Sequence, residues 1–163
     1  MNHTFQIKCN TGAHVTIHAD RLAGANLERL NLHQAVLDGE DLTQASFVDS
    51  DLRSASLDRS VLRAANLTNC TLINAWLVGA DCRGAQFTRS RAIFANFSQA
   101  DLSDADLSDV DVEGADFRNS TLFGANMKCT DIKSANFNGS KYDDFTQWPV
   151  GFDPASTGAI KVS

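Results

Sequence analysis

Between residues 98 and 117 the chain reads SQADLSDADLSDVDVEGADF, with apolar Leu102, Leu107, Val112 and Phe117 spaced five apart and polar residues between them. The period runs far beyond that stretch. Stepping by five from Ile17 to Tyr142 meets 26 positions, all apolar or aromatic, with no slip of register. Two residues before each of these centres lies a second biased position, Ala at 14 of the 26 sites and Ser at five more. The residue just before the centre is often Asp or Asn, as in ANL at 25–27 and ADF at 115–117.

Five is the period of neither an α-helix nor a strand. On a helix a five-residue step turns about 500°, so successive centres never share a face. A strand alternates every second residue. The pattern suits a short flat side with one small and one large inward side chain and a turn at each corner, where Asn, Asp, Ser and Gly are at home. Four such sides close a coil of about 20 residues, and coils stack at roughly 4.8 Å. The repeated span is 26 × 5 = 130 residues. Each coil then buries its centres against its neighbours, so stability is a sum of neighbour interfaces. Asp20 and Glu40 sit where a small inward residue is expected, and Ala92 is an undersized centre that predicts a small gap or a bulge.

This A(D/N)LXX pattern covers about 80% of the chain and closely resembles the pentapeptide-repeat family. The resemblance implies an all-β fold, a right-handed quadrilateral β-helix of about six to seven coils with N- and C-terminal caps. One domain is expected over 1–163: an N-terminal β cap at 1–14, the repeat β-helix at 15–144 and a C-terminal cap or tail at 145–163. FQIKC at 5–9 and HVTIH at 14–18 alternate apolar and polar around NTG and predict a short β-element. Residues 142–163 abandon the repeat, and Phe145, Trp148, Val150 and Phe152 predict an apolar plug over the last coil. The WPVGFDP stretch there is similar to the tails of many cyanobacterial-like members.

The net charge of −6 disfavours nonspecific binding to nucleic acid or an anionic membrane. The N-terminus lacks the apolar segment of a signal peptide, and no apolar run approaches the ~18 residues of a membrane span. A cytoplasmic location is expected. Cys9, Cys70, Cys82 and Cys129 have neither zinc-ligand nor CxxC spacing and read as reduced, packed thiols. The four histidines, His3, His14, His18 and His33, lie near the N-terminus and read as surface residues. A filled interior offers no ready cavity, and no catalytic, metal-binding or cofactor-binding arrangement stands out. The chain is therefore expected not to be an enzyme and to need no cofactor.

Function then falls to the outward positions, where residues twenty apart share a side. The acids Asp101, Asp104, Asp106, Asp109, Asp111, Glu113 and Asp116 fall on four different sides and ring one coil. Ile73, Trp76, Val78, Ile93 and Phe94 occupy outward positions and predict one exposed apolar patch across two coils, with Arg53, Arg83, Arg89 and Arg91 as a basic rim. A turn of Phe94 inward, filling the space at Ala92, is the competing expectation. Such a patch marks a protein interface, with Trp a favoured anchor. The function expected is that of a noncatalytic protein-binding or scaffold module. Its partner would be a protein of unknown identity, with no direct contact to nucleic acid or membrane. The chain itself would be a monomer or a homodimer through the C-terminal tail. The alternative implied by the resemblance is a DNA mimic that binds a type II topoisomerase such as gyrase. A mimic needs charge running along the rod, and here residues 51–91 hold six Arg against three acids while 92–119 hold one Arg against seven.

Overall fold

The computed structural model describes residues 4–163; His3 and the first residues of the expected N-terminal element lie outside them. All 26 centres from Ile17 to Tyr142 are buried. The backbone pairs with itself at a separation of twenty. One side carries Asn26, Ser46, Asn66, Gln86, Asp106 and Asn126 in a single parallel ladder. The next three sides continue the same scheme from Asn31, Val36 and Asp41. A coil of four five-residue sides follows from these separations.

One unit shows how the backbone donors are satisfied. Asp101 N–H donates back to the Ala80 carbonyl at 2.9 Å, while Leu102 and Asp104 donate forward to Thr121 and Phe123, both at 2.8 Å. Ala105 N–H closes the corner on the Leu102 carbonyl at 3.0 Å. The remaining donor, Ser103 N–H, points outward and bonds to the Asp101 carboxylate at 3.0 Å. Buried backbone polar groups are costly to leave unpaired, and a five-residue unit leaves none here.

The corners share a second rule. The residue two after each centre has a positive φ from Gly24 to Gly139, except at 129 and 134. That is the mark of a type II turn. Seven of these corners are Gly, and the rest include Arg29, Ala64, Phe94 and Asn119. None is β-branched, which the left-handed region excludes most strongly.

The interior is filled by matched sizes. Phe97, Phe117 and Phe137 stack in parallel with centroids 5.0 Å apart at both steps. Phe87 meets Phe97 edge-on at 5.7 Å. These two rings rise from the sides flanking Ala92, so the small centre leaves room for them. Ala92 is fully buried, its N–H reaches the Asp111 carbonyl at 2.8 Å, and the ladder passes through it in register. The backbone has no bulge there.

The irregularity lies elsewhere. Thr130 pairs with Asp111 across nineteen residues, and Asn136 returns to the separation of twenty from Asp116. Between them Asp131 adopts φ 52 and Ile132–Ser134 form a 3-10 turn. Cys129 is buried in the place expected for Thr130, which is exposed. The steady period thus does not give unbroken stacking here, and a second departure follows where Asn126 pairs with Gln147 across 21 residues.

At the N-terminal end, strand β1 (Phe5–Lys8) pairs antiparallel with β2 (His14–Ile17), Phe5 opposite Ile17. The hairpin joins the first coils where the Lys8 carbonyl accepts Val36 N–H at 2.8 Å. Asp20 is exposed and Glu40 half-buried, so neither carboxylate enters the core. At the other end β3 (Lys141–Tyr142) pairs in parallel with β4 (Ile160–Lys161). Trp148 meets Phe137 at 5.5 Å and Tyr142 at 5.6 Å, and Phe152 lies 5.4 Å from Trp148. Phe145 and Val150 point outward at 78% and 108% exposure, so half of the four side chains expected in the plug are not in it.

Candidate functional site

The seven acids of coil 101–116 divide by position. Asp101, Asp106, Asp111 and Asp116 stand just before a centre. Each carboxylate accepts the N–H two residues on, from Ser103, Ser108, Glu113 and Arg118 at 2.9–3.2 Å. Asn26, Asn31, Asp41, Asn66 and Asn96 make the same bond elsewhere. These acids therefore complete the backbone of their side. Asp104 and Asp109 hold corners at φ 59 and 58, and Glu113 is exposed beside the corner residue Gly114. Partial burial works to raise the Asp116 pKa, but bonds from Arg118 outweigh it and leave the carboxyl below its usual range.

The apolar residues sit on two adjoining sides. Ile73 and Ile93 hold equivalent positions on successive coils, joined where Asn74 N–H meets the Ile93 carbonyl at 3.0 Å. Both are half-buried, as is Val78. Trp76 is 52% exposed and Phe94 58%. Phe94 holds a corner at φ 54, with its N–H on the Glu113 carbonyl at 2.8 Å. Its ring lies over Gly114, so closely that a Cβ at 114 would collide with it. The ring thus faces outward rather than filling space beside Ala92.

Both aromatic anchors displace a residue the repeat would use. Trp76 stands where Asp or Asn normally accepts the outward N–H, and Val78 N–H turns instead to the Asp58 carboxylate of the preceding coil at 2.8 Å. Phe94 stands where glycine would be unstrained. The basic rim is largely committed elsewhere. Arg53 pairs with Asp51 at 2.6 Å and Arg83 with Asp81 at 2.8 Å, while Arg89 bonds to Asn69 at 3.2 Å. Arg91 forms no ion pair among the described residues. It borders, with Asp51, Arg53 and Ile73, a polar hollow of about 290 Å³.

Two features escaped sequence reasoning. Val36, exposed at 39%, lies two coils before Trp76 on the same column; its separation of 40 was the available signal. Phe123, Phe145 and Val162 border a hollow of about 240 Å³ at the C-terminal end, where the tail has no period to read.

Among the described residues no cluster of His, Cys, Asp or Glu could hold a metal ion, and no helix is long and apolar enough to cross a membrane. The four cysteines are free and buried. Burial pushes the Cys70 thiol up to about 12 and those of Cys82 and Cys129 higher still.

With the twenty-residue coil and its surface in place, the chain can be compared with known proteins. The model for pentapeptide repeats matches residues 21–63, 65–104 and 100–139, in eight copies. The chain belongs to the pentapeptide-repeat family. Among solved structures it is similar to HetL, a pentapeptide repeat protein involved in heterocyst differentiation regulation from the cyanobacterium Nostoc sp. strain PCC 7120. The TM-score is 0.71 at 25% identity, covering 83% of this chain. The chain spans 59% of the length of HetL. It is also similar to alr5209, a pentapeptide repeat protein from Nostoc PCC 7120, with TM-score 0.53 and 30% identity over 66% of this chain and 84% of that one. A comparison with curated protein sequences gives no match.

Proposed function

We propose that the chain is a noncatalytic, cytoplasmic docking scaffold, built as a right-handed quadrilateral β-helix of six to seven coils. Its docking surface is the apolar patch of Ile73, Trp76, Val78, Ile93 and Phe94. The observation that carries this reading is the exposure of Trp76 and Phe94 at positions where the fold gains nothing from an aromatic residue. Trp76 removes a backbone acceptor and Phe94 occupies a left-handed corner. Departures from local preference without structural return concentrate at functional sites. The patch stands on a hydrogen-bonded scaffold, so docking loses little conformational entropy. The likeness to HetL, a protein involved in regulating differentiation, supports a regulatory binding role.

Affinity capture from a native lysate tests the reading with wild type beside Trp76→Asn/Phe94→Asn. Asn is the repeat's own residue at equivalent places, before the centre at Asn66 and at the corner at Asn74, so the variant keeps its fold. A partner held by wild type and lost by the variant is the expected result. Equal retention would remove the patch as the docking surface. The topoisomerase alternative calls for charge running along the rod, whereas these seven acids ring a single coil. Inhibition of gyrase supercoiling by the purified chain would nevertheless overturn the preference.

A further inference from the structure

The charge beside the aromatic anchors narrows the kind of partner, given the docking surface just proposed. On the side that carries Ile73 and Ile93, the next coil places Glu113 at the same position, and Arg91 is the ladder partner of Asp111. Asp104, Asp106, Asp109, Asp111 and Glu113 form no ion pair among the described residues. In the preceding coils Arg53, Arg63 and Arg83 are tied to Asp51 and Asp81. Beside Phe94, Glu113 and Asp111 thus carry negative charge with no ion-pair partner among the described residues, against Arg91, a free cation of the same side.

The geometry at Phe94 adds shape to that field. The Cδ1–Cε1 edge of its ring is the part nearest Gly114, and the residue stays 58% exposed. Gly114 N–H is itself held by the Ser134 hydroxyl at 2.9 Å, which steadies the platform. Glu113, exposed, is the residue immediately before Gly114. A flat aromatic face next to a free carboxylate is the chemistry that receives a guanidinium, which stacks on the ring and bonds the carboxylate through its planar fork.

We infer that the occupant of this surface is a basic protein segment whose arginine lies between the Phe94 ring and the Glu113 carboxylate, with a neighbouring apolar side chain set against Trp76. Asp111, on the same side as Ile93, steers the segment in. A compact ammonium would gain the charge attraction without the stacking or the two-point bond, so lysine is the poorer substitute.

The test is selection of a phage-displayed random dodecapeptide library on the folded chain. The best enriched peptide is then measured by fluorescence anisotropy on wild type, Trp76→Asn/Phe94→Asn and Glu113→Lys. Enriched peptides should carry Arg beside an aromatic or aliphatic residue, and both variants should weaken binding by about tenfold or more. Replacing the peptide's Arg by Lys should weaken it severalfold, and added salt should weaken wild type more than Glu113→Lys. Neutral or acidic peptides, or indifference to Glu113→Lys with loss in the Asn double variant, would overturn the arginine site and leave the docking surface standing. Failure of any peptide to enrich, or binding indifferent to the Asn double variant, would overturn both.

Discussion

Replacing Asp106 by Ala should destabilise the rod far more than removing its charge does. The Asp106 carboxylate accepts the Ser108 N–H at 2.9 Å and the Asn126 amide at 3.1 Å, and it lies within 3.4 Å of the Thr88 hydroxyl. Ala leaves the Ser108 donor without its partner at a half-buried position. An orphaned donor there, with the lost amide bond, costs about 2 kcal/mol. At a urea dependence of roughly 2 kcal/mol per molar, the unfolding midpoint falls by about 1 M. Asp106→Asn retains an acceptor oxygen and should cost under about 0.5 kcal/mol. Asp109→Asn removes the same unit of charge from an exposed corner at φ 58, a conformation Asn tolerates, and should also stay within about 0.5 kcal/mol. Urea titration followed by circular dichroism measures all three. Equal midpoints for Asp106→Ala and Asp106→Asn would refute the acceptor role. A loss above about 1 kcal/mol in both Asn variants would show that the charge itself matters.

Phe117, fully buried between Phe97 and Phe137, should cost about 4 kcal/mol when cut to Ala, with urea unfolding followed at Trp148, whose ring meets Phe137 edge-on. Asp81 offers a pH test: hydrogen bonds from Arg83 first, with Arg63 behind them, outweigh partial burial and hold its pKa down to about 2. A folded value below the unfolded value of about 3.9 stabilises the native state above that range, and the gain fades as pH falls through about 2. Because both arginines are about half exposed, the contribution is about 1 kcal/mol. Asp81→Asn should therefore lower the melting temperature at pH 7 by roughly 2–4 °C, and the difference should close near pH 2.

The inward positions were legible because size and polarity alone decide them: Leu27, Phe47 and Ala92 all fall where a step of five places them. The skip at Cys129 was not. Met127, Ile132 and Phe137 keep the period unbroken in sequence, and the change lies in backbone path, where a 3-10 turn carries the same number of residues along a different route. Thr130 in the slot usually held by Ala or Ser was a weak trace, shared with Asp20, Leu30, Glu40 and others where the coil does not skip. The apolar patch was legible as a break in an otherwise polar surface. Two things about it were not: that Asp58 takes over the duty Trp76 abandons, and that Gly114 makes a bed for Phe94. Both relations join residues twenty apart or nearly so, and they depend on rotamers that composition does not encode.

The twenty-residue closure also makes the rod an indexing device. An insertion of twenty residues would lengthen it by roughly 4.8 Å and leave every outward column aligned. An insertion of five would keep every centre inward yet turn all that follows by one side. Placed between Val78 and Ile93, it would carry Phe94 away from Trp76 while the core stayed filled. Stability and recognition are thus governed by separate arithmetic in this fold: the first counts in fives and the second in twenties.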